Sequence, residues 1–248
     1  MLDKKTEKEI EILKDGGRLL GEILRKLSKE VKIGVTGKEL DILAGDLIYK
    51  VGGKPSFKNY QGFPSNLCVS INQTVVHGIP NNISFQEGDL VGLDIGMKYK
   101  GLYTDTAVTV SVGKINKEVE KLLKVTKKSL DIGISKVSLN NYIGDIGKAI
   151  EEYVKPFGYG IVRDFCGHGV GREIHEEPAI LHYNTGQLGE KMFPGLVIAI
   201  EPMIIMGGDH RVVVGKDNWS VNSKDNSLTA HFEHTIAVTK SGHVVITK

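Results

Sequence analysis

The stretch Asp89–Val112, DLVGLDIGMKYKGLYTDTAVTVSV, is the segment on which the fold turns. Apolar residues alternate with small or polar ones on both sides of Lys98-Tyr99-Lys100-Gly101, which predicts a long antiparallel hairpin. With those four residues as the loop, Met97 faces Leu102 and Asp94 faces Asp105. Directly opposed residues have Cβ atoms about 4.5–5.5 Å apart, and like charges there destabilise the sheet. Leu93, Ile95, Ala107, Val108 and Val110 point to partial burial. Two ionised carboxylates in that setting need a shared proton or a cation. A loop of another length would set the aspartates at different levels and leave one solvated.

The flanking text is helical, then β-rich, and the order recurs. Thr6 and Glu9 have capping-box spacing, and Ile10, Leu13, Leu20, Ile23, Leu24 and Leu27 recur near the helical period, interrupted by Gly16-Gly17. Thr36 and Glu39 repeat the signal and open a second helix that runs to Gly52-Gly53. NLCVSINQTVVHGIP then reads as β-rich text broken at Asn72-Gln73. After Gly113, KINKEVEKLLKVTKKSLDIGI and NNYIGDIGKAIEEYVKPFG read as two more helices, and GLVIAIEP and SLTAHFEHTIAVT as strands. Helices then strands, twice, predicts an α+β fold. The expectation is one domain over residues 1–248, made of similar halves at approximately 1–112 and 113–248.

Bulk properties exclude several classes. The 248 residues include 32 basic and 30 acidic ones, a formal charge of +2 that carries no nucleic-acid footprint. No apolar run approaches the roughly 18–20 residues that span a bilayer. The N-terminal MLDKKTEKEIEILKDGG mixes its charges and is followed by no apolar core, so no signal peptide is expected. Cys68 and Cys166 are too few for a disulfide framework, which fits a cytoplasmic location and leaves one bridge between them open.

Two further acids stand in core-like text. Glu201 closes the apolar run LVIAI, and Glu233 lies within TAHFEHTIAV. Either alone reads as a structural carboxylate. With Asp94, Asp105 and the glycine-flanked His168, the structural reading requires four buried acids, each with its own partner. Four carboxylates balance two divalent cations, and four acids with one imidazole form an oxygen-rich donor set. That set suits Mn²⁺, Fe²⁺ or Co²⁺, accepts Zn²⁺, and differs from a closed structural zinc site. Paired cations on shared carboxylates are a hydrolase arrangement.

In this order Asp94, Asp105, His168, Glu201 and Glu233 resemble the metal-binding pentad of the methionine aminopeptidases. INQTVVHGIP, LDIG, TDTA, CGHGVGREIHEEP, IAIEPM and KDNSLTAHFEHT agree locally, and the resemblance runs from about Lys4 to the C-terminus. It is to the short, type I bacterial form. The family implies a pita-bread fold with pseudo-symmetric halves, an antiparallel sheet covered by helices, a monomer, and removal of initiator methionine from peptides and nascent chains when the second residue is small. It implies two divalent ions, with Asp105 and Glu233 bridging, Asp94 completing one site, and His168 with Glu201 the other. Glu201 is also the implied general base, His175 the contact to the scissile carbonyl, and His77 the contact to the peptide nitrogen beyond it. Tyr60, Phe63, Cys68 and Trp219 match the methionine pocket. Asn72, Thr74 and Thr229 match a site for a monovalent cation such as Na⁺ or K⁺. Transient ribosome contact fits the task. Specific nucleic-acid binding and membrane insertion do not.

The chain departs from the family pattern at Gln61, where a histidine is usual, and at Ile174, where phenylalanine is common. His231 shares strand parity with Glu233 and reads as a donor behind a ligand. Glu176 and Glu177 are placed outside the metal site. Two other readings are a proline-specific peptidase such as prolidase or aminopeptidase P, and a non-catalytic binding module on the same fold. The first usually carries a large N-terminal domain, and the second loses ligands.

Overall fold

Thr6 and Thr36 each open a helix by the expected reciprocal cap. The Glu9 backbone N–H donates to Thr6 Oγ1 at 3.2 Å while Glu9 Oε2 accepts from the Thr6 N–H at 2.7 Å. Glu39 and Thr36 do the same. In the computed structural model, which describes residues 2–248, these helices are α1 (Glu7–Glu30) and α2 (Gly37–Lys50). Asn116 caps α3 (Lys117–Ser135), and α4 (Gly144–Val154) follows.

Among the described residues, the largest sheet has nine strands. Its centre runs in the spatial order Leu90–Tyr99, Leu102–Ser111, Glu233–Thr239, Val197–Ile200, Gly167–Gly169 and Glu176–Ile180. One face is covered by helices. Leu93, Ile95 and Met97 pack with Leu20, Ile23 and Leu27 of α1 and Leu40 and Ile48 of α2. Ile198, Ile200, Ile236 and Val238 pack with residues of α3 and α4, among them Leu122, Val125, Ile134 and Ile150. Val108 touches both clusters. Strand alternation then directs Asp94 and Gly96 to the opposite face.

The hairpin register differs from the sequence expectation. Tyr99 faces Leu102, so the loop is only Lys100-Gly101, and Asp94 faces Ala107 while Asp105 faces Gly96. Lys100 and Gly101 both have positive φ, 47° and 91°. That is the primed two-residue turn whose twist matches the flanking strands. Lys-Gly is a weaker signal for it than Asn-Gly, which is why a four-residue loop read equally well. The aspartates stay on one face but sit diagonally, one rung apart.

The register extends across the sheet. Glu233 faces Ala107, and Thr235 faces Ala199. Continued by one residue, it sets Glu201 level with Glu233, and His168 level with Ala199. One rung therefore carries Asp94, Glu233 and Glu201, and the next carries Asp105 and His168. Gly96, Ala107 and Ala199 separate them and leave open the floor between the acids. The glycines beside His168 serve close strand approach. A Cβ on Gly167 would lie 2.3 Å from the Ala199 carbonyl oxygen, and one on Gly169 would lie 2.3 Å from that of Glu177.

Gly169→Ala is therefore expected to displace the strand that carries His168 and to cost about 1–3 kcal/mol of stability. A lower Tm together with weaker divalent-metal affinity by calorimetry checks this. An unchanged Tm would contradict it.

Candidate functional site

The five predicted metal residues converge on the uncovered face. Asp105 and Glu233 are 3% and 2% exposed. Asp105, His168 and Glu233 offer ligand atoms that all lie within 4.8 Å of one another. His168 Nε2 is 3.5 Å from Glu201 Oε1. Asp94 Oδ1 and Glu233 Oε1 are buried with no hydrogen-bond partner. His168 Nδ1 lies 2.9 Å from the Gly169 carbonyl oxygen, so Nδ1 carries the proton and the Nε2 lone pair faces the acids.

Electrostatics match this crowding. Burial first, then Asp105 and Glu201, drives the Asp94 carboxyl well above its ordinary range. Burial, then the Glu201 charge, raises Asp105 to about 7. Burial raises Glu201 to about 8. Glu233 is raised by burial and then by Asp105, Glu201 and Asp94. Burial lowers His168 to about 3, with His175 adding to the effect. Orphaned carboxylate oxygens, suppressed ionisation and an imidazole lone pair aimed at the same point fit oxygen-preferring divalent cations.

Above this floor is a cavity of about 380 Å³. Tyr60, Phe63, Cys68 and Trp219 line it, as do His77, His175 and all five acid and imidazole residues of the floor. Phe63 meets Trp219 edge-on at 5.1 Å. His77 has φ 58° and its ring meets Phe165 at 5.5 Å. Burial lowers the His77 pKa to about 4, and His175 is lowered for the same reason. His175 Nδ1 is 3.0 Å from the Tyr60 hydroxyl, and its ring lies 4.4 Å from that of His168. Ile174 packs against Phe57, Phe63 and Cys68 in the pocket wall, and Gln61 also borders the cavity. Cys68 and Cys166 are both free thiols, so the bridge left open by the sequence is not formed.

Other residues fall as follows. His231 Nε2 lies 3.4 Å from Glu201 Oε2, behind the acids. Thr229 Oγ1 is 3.0 Å from the Asn72 carbonyl oxygen and 2.9 Å from that of Thr74, so the three predicted monovalent-site residues do meet. Glu176 is turned away from the floor and pairs with Lys5. Sequence reasoning missed Phe57, Phe165, Met203 and His182. Phe165 could have been found from its place just before CGHG. His182 Nε2 accepts the Glu201 backbone N–H at 3.1 Å, a role with no sequence signature.

The model of metallopeptidase family M24 matches residues 11–240. The chain belongs to metallopeptidase family M24. Within M24 it is 41% identical over 247 residues to a methionine aminopeptidase from Clostridium perfringens, covering 100% of this chain and 99% of that one. The crystal structure of methionine aminopeptidase from Thermotoga maritima superposes with a TM-score of 0.97 at 40% identity, covering 100% of both chains. Prolidase from Pyrococcus furiosus shares the fold at a TM-score of 0.78 and 23% identity, covering 99% of this chain and 65% of that one. The M24 pita-bread fold is thus the α+β architecture described above.

Proton release should accompany cation uptake. Carboxyls raised to about 7 and 8 are protonated in part at neutral pH in the cation-free protein, and a bound divalent ion needs them ionised. Affinity for Mn²⁺ is therefore expected to rise between pH 6 and 8. Calorimetry in buffers of different ionisation enthalpy should count released protons. A pH-independent affinity without proton release would contradict the assignment.

Proposed function

We propose that this chain is a methionyl aminopeptidase that removes N-terminal methionine from peptides and nascent proteins whose second residue is small. One observation carries the reading: an apolar slot walled by Tyr60, Phe63, Cys68 and Trp219 opens directly onto the acid and imidazole floor. A thioether side chain suits an aromatic, sulfur-tolerant slot. The scissile carbonyl would then lie over the floor.

Asp94, Asp105, His168, Glu201 and Glu233 would hold two divalent ions, of Co, Mn, Fe or Zn. Bound there, such ions supply Lewis acidity and lower the pKa of a water. Glu201 takes the proton from the attacking water and returns it to the departing amine nitrogen as the C–N bond breaks. Burial keeps His77 and His175 neutral at pH 7. With the Tyr60 hydroxyl donating to His175 Nδ1, Nε2–H is left to donate to the carbonyl oxygen and to the oxyanion that replaces it. His77, which lines the same cavity beside Phe165, is left to contact the peptide nitrogen beyond the cleaved bond. The Asn72 and Thr74 carbonyl oxygens gathered around the Thr229 hydroxyl suit a monovalent cation in a supporting role. The chain acts as a single catalytic domain and as a monomer, in the cytoplasm, in transient contact with ribosomes. Among the described residues no helix is long and apolar enough to cross a membrane.

Met-Ala-Ser is expected to be cleaved and Ala-Pro peptides left intact. Cleavage of only the latter would favour a proline-specific peptidase. His168→Ala should weaken metal binding by at least roughly tenfold, whereas His175→Ala should keep its metal and lose about 10²–10³ in kcat. Metal analysis beside peptide kinetics separates the two. Equal metal loss in both variants would overturn the division of roles.

A further inference from the structure

His175 sits at the end of a segment that the sheet holds only at its start, where Tyr103 donates its backbone N–H to the Gly171 carbonyl oxygen at 2.6 Å. Residues 171–175 form successive bends between the Gly167–Gly169 and Glu176–Ile180 strands. Beyond a bond from the Gly171 N–H to the Glu173 carbonyl oxygen, their shape is set by one carboxylate. Glu176 Oε1 accepts the backbone N–H groups of Arg172 at 2.6 Å and Glu173 at 3.0 Å. Glu176 Oε2 is ion-paired with Lys5 Nζ.

Lys5 is an unusual partner. Its side chain is 1% exposed, and that of Glu176 is 10% exposed. A lysine buried this deeply is strongly disfavoured unless paired, and a buried pair is weak evidence for stability but can fix a geometry. The pairing is built in from several sides. Lys5 Nζ also meets Asp3 Oδ2 at 2.9 Å. The Lys5 backbone N–H donates to the Gly195 carbonyl oxygen at 2.9 Å, two residues before the strand that leads to Glu201. The lysine stem runs along Gly171, where an added Cβ would lie 2.3 Å from Lys5 Cε. Arg172 closes the block through Asp3 and through Glu9 at 2.8 Å. The segment before α1 and the bends before His175 thus form one ion-paired unit.

We propose that Lys5 is a positioning residue for His175, acting through Glu176. This rests on the reading of His175 as the carbonyl contact. The ammonium pins Glu176, Glu176 pins the two N–H groups, and the bends then deliver the His175 ring to Tyr60 and to the cavity. A misplacement of about 1 Å at such a group costs on the order of 10²-fold in rate. The Lys5 side chain does not line the substrate cavity, and its ion pair reaches the site through Glu176 and the bends that lead to His175.

The test is a double-mutant cycle on Met-Ala-Ser hydrolysis with Mn²⁺, using Lys5→Met, Lys5→Arg and Glu176→Gln, each alone and combined with His175→Ala. The expected result is a roughly 10- to 100-fold fall in kcat for Lys5→Met, with KM changed less than about threefold and Mn²⁺ content unchanged. Lys5→Arg should recover part of the loss. In the His175→Ala background, Lys5→Met should alter kcat by less than about twofold, because the residue it positions is gone. Should Lys5→Met fold poorly, Glu176→Gln carries the same cycle, since its amide oxygen still accepts the two N–H groups while the ion pair is lost. Losses that multiply, or a wild-type kcat in Lys5→Met, overturn the proposal alone. A wild-type kcat in His175→Ala overturns the His175 reading and this proposal together.

Discussion

Mutual repulsion among buried carboxylates is the constraint on which the rest of the structure depends. Asp94, Asp105, Glu201 and Glu233 lie on two neighbouring rungs of one sheet, and each is driven toward its protonated form by burial. Transferring even one such charge from water costs several kcal/mol. A fold that collects four of them works against its own stability unless positive charge arrives from outside. Among the described residues no lysine or arginine lines the cavity, and the imidazole at its floor is held neutral. The cations of a metallopeptidase supply what the chain withholds.

The architecture keeps this arrangement rigid. Both helix pairs pack on the far face of the sheet, so every strand that carries an acid is held by a core of leucine, isoleucine and valine on its other side. Gly96, Ala107 and Ala199 occupy the positions between the acids and keep the floor clear. The buried neighbours hold orientations rather than charge. Thr106 donates its backbone N–H to Asp105 at 3.0 Å, and His182 accepts that of Glu201.

Much of this was legible in the sequence. The two capping boxes placed α1 and α2 because their reciprocal bonds are local. The four floor acids were legible because an acid inside an apolar strand asks for a partner, His168 joined them through the family resemblance, and all five line one cavity. The hairpin register was not, since a two-residue turn at Lys100-Gly101 and a four-residue loop shift the pairing by two residues and so share the same alternation. His182 and Lys5 were also illegible. Their partners, the Glu201 backbone and Glu176, lie 19 and 171 residues away, and nothing in either local string announces a long-range contact.

The most direct measurement is the metal content and peptide turnover of Glu233→Ala beside the unaltered chain. Glu233 is buried at the shared edge of the floor, with one oxygen unpartnered. The account predicts that the unaltered protein retains divalent metal through gel filtration and hydrolyses Met-Ala-Ser, and that the variant loses both while keeping its fold by circular dichroism. Hydrolysis at the unaltered rate by a folded Glu233→Ala protein would contradict it.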